Sequence, residues 1–230
     1  MNIFITGSNG FIGSHLKEYL NDLYSEYVLF TPSSKELDLS KYYYIEEKNE
    51  NIKVSMACRL LKDKGVFEYI EASKILKKKY LNVKFELYGD IDIHNPASLT
   101  SDDIKKIKEE GFVNVYGFSS DISKVFSDSN IVVLPSYREG LPKVLIEAAA
   151  CGRAIVTTDV PGCRDAIEPN VTGLLCEVKD TESLASMIEK LILDKDLRNS
   201  MGKEGRKLAE QEFDINKVVE KHFEIYEGRV

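Results

Sequence analysis

The run IVVLPSYREGLPKVLIEAAACG, residues 131–152, constrains the fold of this chain more than any other stretch. Ile131 to Ser136 is an apolar, strand-like segment that ends in a proline and a serine. Gly140 and Pro142 then predict the opening of a helix, with Val144, Leu145, Ala148 and Ala149 facing inward and Gly152 closing it. Strand, loop and helix in this order make part of a parallel crossover unit, in which the loop stands at the carboxyl end of the strand. Two carboxylates mark it. Glu139 falls on the loop, and Glu147, eight residues on, roughly two turns along the helix. The backbone N–H groups of Gly140 and Leu141, at the expected helix mouth, favour an anion between them. By itself the pair also fits a capping glutamate and an unrelated helical one.

The rest of the chain repeats the alternation. Strands are predicted at 52–57, 83–88, 112–116, 131–135, 154–157 and 173–176. Helices fall between them. One spans about 66–80, with Val66, Tyr69, Ile70 and Leu76 near one face. The next opens on Thr100-x-x-Asp103, a capping-box-like start, and ends by Gly111. From about Thr181 a third puts Leu184, Ile188, Leu191 and Ile192 on one stripe, and two more follow at about 195–212 and 214–227. The last keeps Val218, Val219 and Phe223 for a core. The fold class is therefore α/β, a Rossmann-like parallel sheet with helices on both faces.

The first residues carry a different signal. MNIFITGSNGFIG is an apolar strand run into Gly7, Gly10 and Gly13, followed by the helical pattern SHLKEYLND. Glycines between strand and helix let the backbone approach a pyrophosphate, so these three are candidate dinucleotide contacts, and residues 1–45 a short β-α-β appendage. The stretch resembles the start of extended short-chain dehydrogenases, the sugar-nucleotide epimerases and reductases. At the end of the second strand, where that family places an acid for the NAD ribose, stand Thr31, Pro32, Ser33, Ser34 and Lys35. The family's Tyr-x-x-x-Lys pair has only two matches, Tyr44 with Lys48 and Tyr80 with Lys84. The first comes too soon after the glycines, and the second lies far outside the fragment.

From about Asn51 the chain resembles the C-terminal, donor-binding domain of retaining, family-4-type glycosyltransferases of the GT-B fold. ACRLLKDKG (57–65), VKFELYGD (83–90), the long run 113–152, AIVTTDVPGCRD (154–165) and NVTGLLCEVKDTESLASMIEKLI (170–192) carry the resemblance, in family order. TTDVPGCRD is similar to bacterial enzymes of surface-polysaccharide and lipid-linked glycan synthesis. The division expected is a fragment at 1–45, a linker at 46–51 and a donor domain at 52–230.

The resemblance implies a UDP- or GDP-sugar as donor, with no further cofactor and no metal. Arg59 and Lys64 would hold the diphosphate, Glu147 the ribose hydroxyls, and Glu139 the sugar. Phe118, in Tyr116-Gly117-Phe118, would stand where the base is framed, and the amides of Gly140 and Leu141 at the phosphates. Arg59, Lys64 and Glu139 are the implied catalytic set. The acceptor would be a glycan or lipid-linked glycan, bound by an N-terminal GT-B domain that a separate chain would supply. Two other readings remain open. One is a catalytically inactive nucleotide-sugar-binding module; the other is an NAD(P)-dependent epimerase or reductase, favoured only by the three glycines.

Charge and cysteines narrow the partners. A net charge of −7 and a pI near 5.2 exclude the basic footprint of a nucleic-acid binder. Cys58, Cys151, Cys163 and Cys176 show no C-x-x-C spacing and sit in apolar runs, as expected of buried thiols in a cytoplasmic protein. His15, His94 and His222 form no ligand cluster. No stretch approaches the ~20 apolar residues of a membrane span, so any membrane contact is expected to be peripheral, at the inner face.

Overall fold

The computed structural model describes residue 42, residues 51–214 and residues 217, 219, 222 and 224. Gly7, Gly10 and Gly13, with the whole dehydrogenase-like stretch and Val218 and Phe223, lie outside the described residues. The chain divides into two compact units, one of Tyr42–Leu208 and one of residues 1–41 with 209–230. In the second unit the described Val219 is buried.

Six strands build the first unit: β1 (Lys53–Ala57), β2 (Lys84–Tyr88), β3 (Asn114–Tyr116), β4 (Ile131–Leu134), β5 (Ala154–Thr158) and β6 (Gly173–Cys176). All pair in parallel, in the order β3-β2-β1-β4-β5-β6. Every residue of β4 and β5 is buried, because helices cover both faces of the sheet. The helices are α1 (Val66–Lys77), α2 (Ser101–Glu110), α3 (Ile122–Ser127), α4 (Lys143–Ala150), α5 (Pro161–Asp165), α6 (Thr181–Leu193) and α7 (Lys195–Glu212). Among the described residues, no helix is long and apolar enough to cross a membrane.

Each expected strand is present, and the helices at 66–77, 101–110, 181–193 and 195–212 match their patterns. The stripe Leu184, Ile188, Leu191, Ile192 is buried, and α6 packs on α1. Thr100 and Asp103 close both bonds of the capping box. Thr100→Ala should therefore cost about 1 kcal/mol, read as a lower denaturant midpoint at unchanged slope. The short helices α3 and α5 carry too few residues for periodicity to reveal.

The helix of the central run differs from its expectation. It starts at Lys143, with Pro142 as its N-cap at φ −74° and ψ 106°. The proline ring holds that φ and keeps Leu141 out of helical geometry, so Gly140 and Leu141 belong to the loop and not to the helix mouth. Glu147 consequently stands only about one turn into α4, and it is buried among Leu145, Ile146 and three alanines. Val144 is only half-buried. A helix this apolar, wedged between the sheet and its neighbours, buries more than one face.

Candidate functional site

In an open parallel sheet, ligands enter at the carboxyl ends of the strands where the order reverses. Here the chain moves outward from β1 through β2 to β3, then returns to the other side of β1 with β4. The crevice is thus framed by the loops that follow β1 and β4. Arg59 and Lys64 lie on the first, Glu139 and Gly140 on the second, and Glu147 on the helix beyond it.

The two loops are fastened to each other by backbone. Tyr137 N–H donates to Asp63 O at 2.8 Å, and the Ser136 hydroxyl to the same oxygen at 3.2 Å. Gly65, at φ 73°, lets the turn Lys62–Lys64 pass into α1 while lying flat on Pro135; a Cβ there would be 2.1 Å from Pro135 O. This contact brings together side chains far apart in sequence. Lys64 Nζ donates to Glu139 Oε1 at 2.6 Å, across 75 positions. The two side chains are only 18% and 14% exposed. A third element supports the Glu139 loop from below. Gly162 in α5 approaches so closely that a Cβ would lie 2.1 Å from Gly140 O and 2.4 Å from Glu139 O.

Glu147 has a different setting. It is 8% exposed, its Oε1 accepts from the Tyr42 hydroxyl at 2.8 Å, and Lys143 Nζ lies 3.7 Å from that oxygen. Burial raises its pKa above the ordinary value, while the Tyr42 bond and the Lys143 charge act in the opposite direction. Tyr42 itself is pushed up by burial and by Glu147, so its hydroxyl stays protonated and acts as donor.

The remaining predicted residues are exposed. Arg59 is 65% exposed, with a guanidinium nitrogen 3.4 Å from Asp92 Oδ2. Phe118 is exposed on the loop after β3, its backbone N–H 3.2 Å from Asp90 Oδ1. Leu141 and Gly140 are exposed on the loop before α4. The loops after the first three strands are bonded to one another, Cys58 N–H to Tyr88 O, Leu60 N–H to Asp90 O and Gly89 N–H to Gly117 O. The structure thus brings Lys64 and Glu139 together, leaves Arg59 and Phe118 exposed on the loops after β1 and β3, and buries Glu147 on α4. Sequence patterns missed Tyr42, Lys143 and Gly162. Lys143 had a signal in its i,i+4 spacing from Glu147, and Gly162 lay within the run AIVTTDVPGCRD; Tyr42 lay in no such run.

Other chemistry is sparse. Tyr80 and Lys84, one of the two Tyr-x-x-x-Lys matches, are not a pair, since the Tyr80 hydroxyl donates to Glu189 at 2.8 Å. All four cysteines are free thiols; Cys151, Cys163 and Cys176 are buried as expected and Cys58 only half-buried, and desolvation pushes Cys58 up to about 12, Cys151 to about 11 and Cys176 to about 12. They are poor nucleophiles at neutral pH. Among the described residues, no group of three or more His, Cys, Asp or Glu is placed to hold a metal ion.

Residues 44–208 match the family described as glycosyl transferases group 1. The capsular polysaccharide biosynthesis glycosyltransferase CapM of Staphylococcus aureus is 34% identical over 174 residues, covering 74% of this chain and 45% of that protein. The N,N'-diacetylbacillosaminyl-diphospho-undecaprenol alpha-1,3-N-acetylgalactosaminyltransferase of Campylobacter jejuni is 34% identical over 204 residues, covering 83% of this chain and 52% of that one. Among solved structures, Anabaena Alr3699/HepE in complex with UDP superposes with a TM-score of 0.74 at 21% identity, over 89% of this chain and 58% of that chain. The C-terminal domain of the group 1 glycosyl transferase LpcC from Francisella tularensis matches with a TM-score of 0.67 at 23% identity, over 78% of this chain and 99% of that domain. The chain thus spans about half the length of the first two relatives.

Proposed function

Because this chain belongs to the glycosyl transferases group 1 family, we propose that its first unit is the donor-binding half of a retaining, family-4-type GT-B glycosyltransferase. The observation that carries the reading is the Lys64–Glu139 pair at the reversal point of the sheet, with Glu147 on the following helix. A nucleoside diphosphate sugar entering there meets a cation for its phosphates, one carboxylate for its sugar and one for its ribose. UDP- and GDP-sugars both fit this arrangement. The relatives suggest a glycan or lipid-linked acceptor.

In this reading the glycosidic bond to the diphosphate breaks as the acceptor oxygen bonds the same face of the anomeric carbon, and the acceptor's hydroxyl proton passes to the departing diphosphate oxygen. Positive charge develops at that carbon and negative charge on the departing diphosphate. Lys64, Arg59 and the amides of the Gly140–Leu141 loop stabilise the second. Cations fixed beforehand in a partly buried cleft can do this without a metal. The acceptor half lies outside the matched region, and a separate chain supplying it belongs to the proposal. The donor site sits in the compact unit Tyr42–Leu208, so the division expected from sequence (a dinucleotide-binding fragment at 1–45, a linker at 46–51, a donor domain at 52–230) is kept in this proposal only with its first boundary moved to Tyr42 and the donor unit closed at Leu208.

Calorimetric titration with UDP, GDP, their sugars, NAD and NADP, without added metal, tests the reading. One nucleoside diphosphate should bind, and neither dinucleotide should bind more tightly than about millimolar. No nucleoside diphosphate binding at millimolar ligand, in protein shown to be folded, would overturn it. Micromolar NADP binding would instead favour the reductase alternative and the N-terminal glycines.

A further inference from the structure

Tyr42 reaches the site from outside every motif, across 105 positions to Glu147. Its ring is buried, and its hydroxyl donates to Glu147 Oε1 at 2.8 Å. The backbone at Tyr42 is held as well. Arg206 on α7 donates through Nη1 to Tyr42 O at 2.8 Å, and the same nitrogen donates to Ala150 O, at the last residue of α4. One guanidinium therefore ties Tyr42 to the helix that carries Glu147. Lys143, one turn before Glu147 on that helix, approaches the same oxygen, Oε1. Both partners grip one side of the carboxylate.

We propose that Tyr42 is a positioning residue for the ribose: its hydroxyl fixes Glu147 through Oε1, so that Oε2 accepts from the ribose hydroxyls of the donor nucleotide. The inference rests on the donor-site reading above. A free glutamate side chain on a helix samples several rotamers, and a ribose diol would have to select one of them. Anchoring one oxygen beforehand removes that cost. It also opposes protonation. The groups that face this carboxylate are Lys143 from its own helix and the Tyr42 hydroxyl; Cys151 and Arg206 lie about them, and Asp121 acts on Tyr42. Burial favours the neutral acid, and the Tyr42 bond and the Lys143 charge favour the anion. Only the anion leaves both oxygens as acceptors. Ribose binding should therefore weaken as pH falls through the Glu147 pKa, which lies above the ordinary value of 4.5. Removing the hydroxyl should move that loss to higher pH.

Tyr42→Phe keeps the ring and deletes only the donor. In the whole protein, UDP or GDP should bind about tenfold more weakly at neutral pH. The 2′-deoxy nucleotide should lose less, and the acid limb of the ribonucleotide profile should shift upward. In a Glu147→Gln background, where a neutral amide takes the site, Tyr42→Phe should add little. That second background keeps the test valid if Tyr42→Phe alone lowers stability. Equal losses for ribose and deoxyribose ligands, an unmoved pH profile, or tighter binding would overturn the inference while leaving the donor site standing. Failure of the unaltered protein to bind any nucleoside diphosphate would instead sink the donor reading and this inference with it.

Discussion

Gly65→Ala is expected to lower folding stability by roughly 2–5 kcal/mol and to remove nucleotide binding under conditions where the variant is still folded. Two costs add. A side chain at φ 73° pays the left-handed penalty, about 1–2 kcal/mol. The Cβ would also stand 2.1 Å from Pro135 O, a backbone atom that cannot rotate away. Relief requires the β4 loop to withdraw from the β1 loop, which separates Lys64 from Glu139. Gly111→Ala supplies the control, because Gly111 has φ 71° and its Cβ would meet nothing within 4 Å. It should show the conformational cost alone and leave binding intact. Equal thermal shifts for the two variants, with binding retained in both, would mean that the Pro135 contact does not set the cleft.

Lys64→Ala should weaken UDP or GDP by about a hundredfold, the upper end of what one charge-assisted hydrogen bond contributes. The reason for the upper end is Glu139. At 2.6 Å its carboxylate is the partner of Lys64, and both are largely shielded from water. With the lysine gone, an unpaired carboxylate faces the incoming diphosphate. Lys64→Ala with Glu139→Ala should therefore recover part of the loss. Glu139→Ala alone should leave bare diphosphate binding equal or tighter, since Lys64 no longer divides its charge, while the nucleotide-sugar binds less well. Arg59→Ala, at an exposed position, should cost less than Lys64→Ala. A calorimetric double-mutant cycle measures the coupling directly. If single and double variants lose equally, Glu139 does not act on Lys64 in the way the geometry requires.

The Lys64–Glu139 ion pair lies beyond what the motifs specify. Motif resemblance assigns Glu139 to the sugar and Lys64 to the diphosphate as separate contacts. Their ion pair makes the two assignments interdependent. Similarly, the run 131–152 set Glu147 about two turns along a helix, with nothing to show that it is 8% exposed and hydrogen-bonded to Tyr42. Folding stability should accordingly respond to Glu147→Ala, which strands the Tyr42 hydroxyl in a buried place.

Local chemistry alone determined much of this protein. Short segments of three to five residues marked the strands, wholly apolar in β4 and alternating in β2. The Thr100–Asp103 box and Gly111 bounded α2, and the stripe of α6 declared its buried face. Such features depend on neighbours within a turn or two of chain, so they are legible in order along it. The tertiary structure decided strand order, and with it every contact of the cleft. Periodicity tells a strand which faces to bury but not which strand to lie beside. The reversal that places β4 against β1, the pairing of Lys64 with Glu139, and the arrival of Tyr42 and Arg206 at α4 all join residues many positions apart. Those contacts exist only after the crossovers have closed over the sheet, because only then do packed backbones such as Gly65 on Pro135 bring the loops within hydrogen-bond reach.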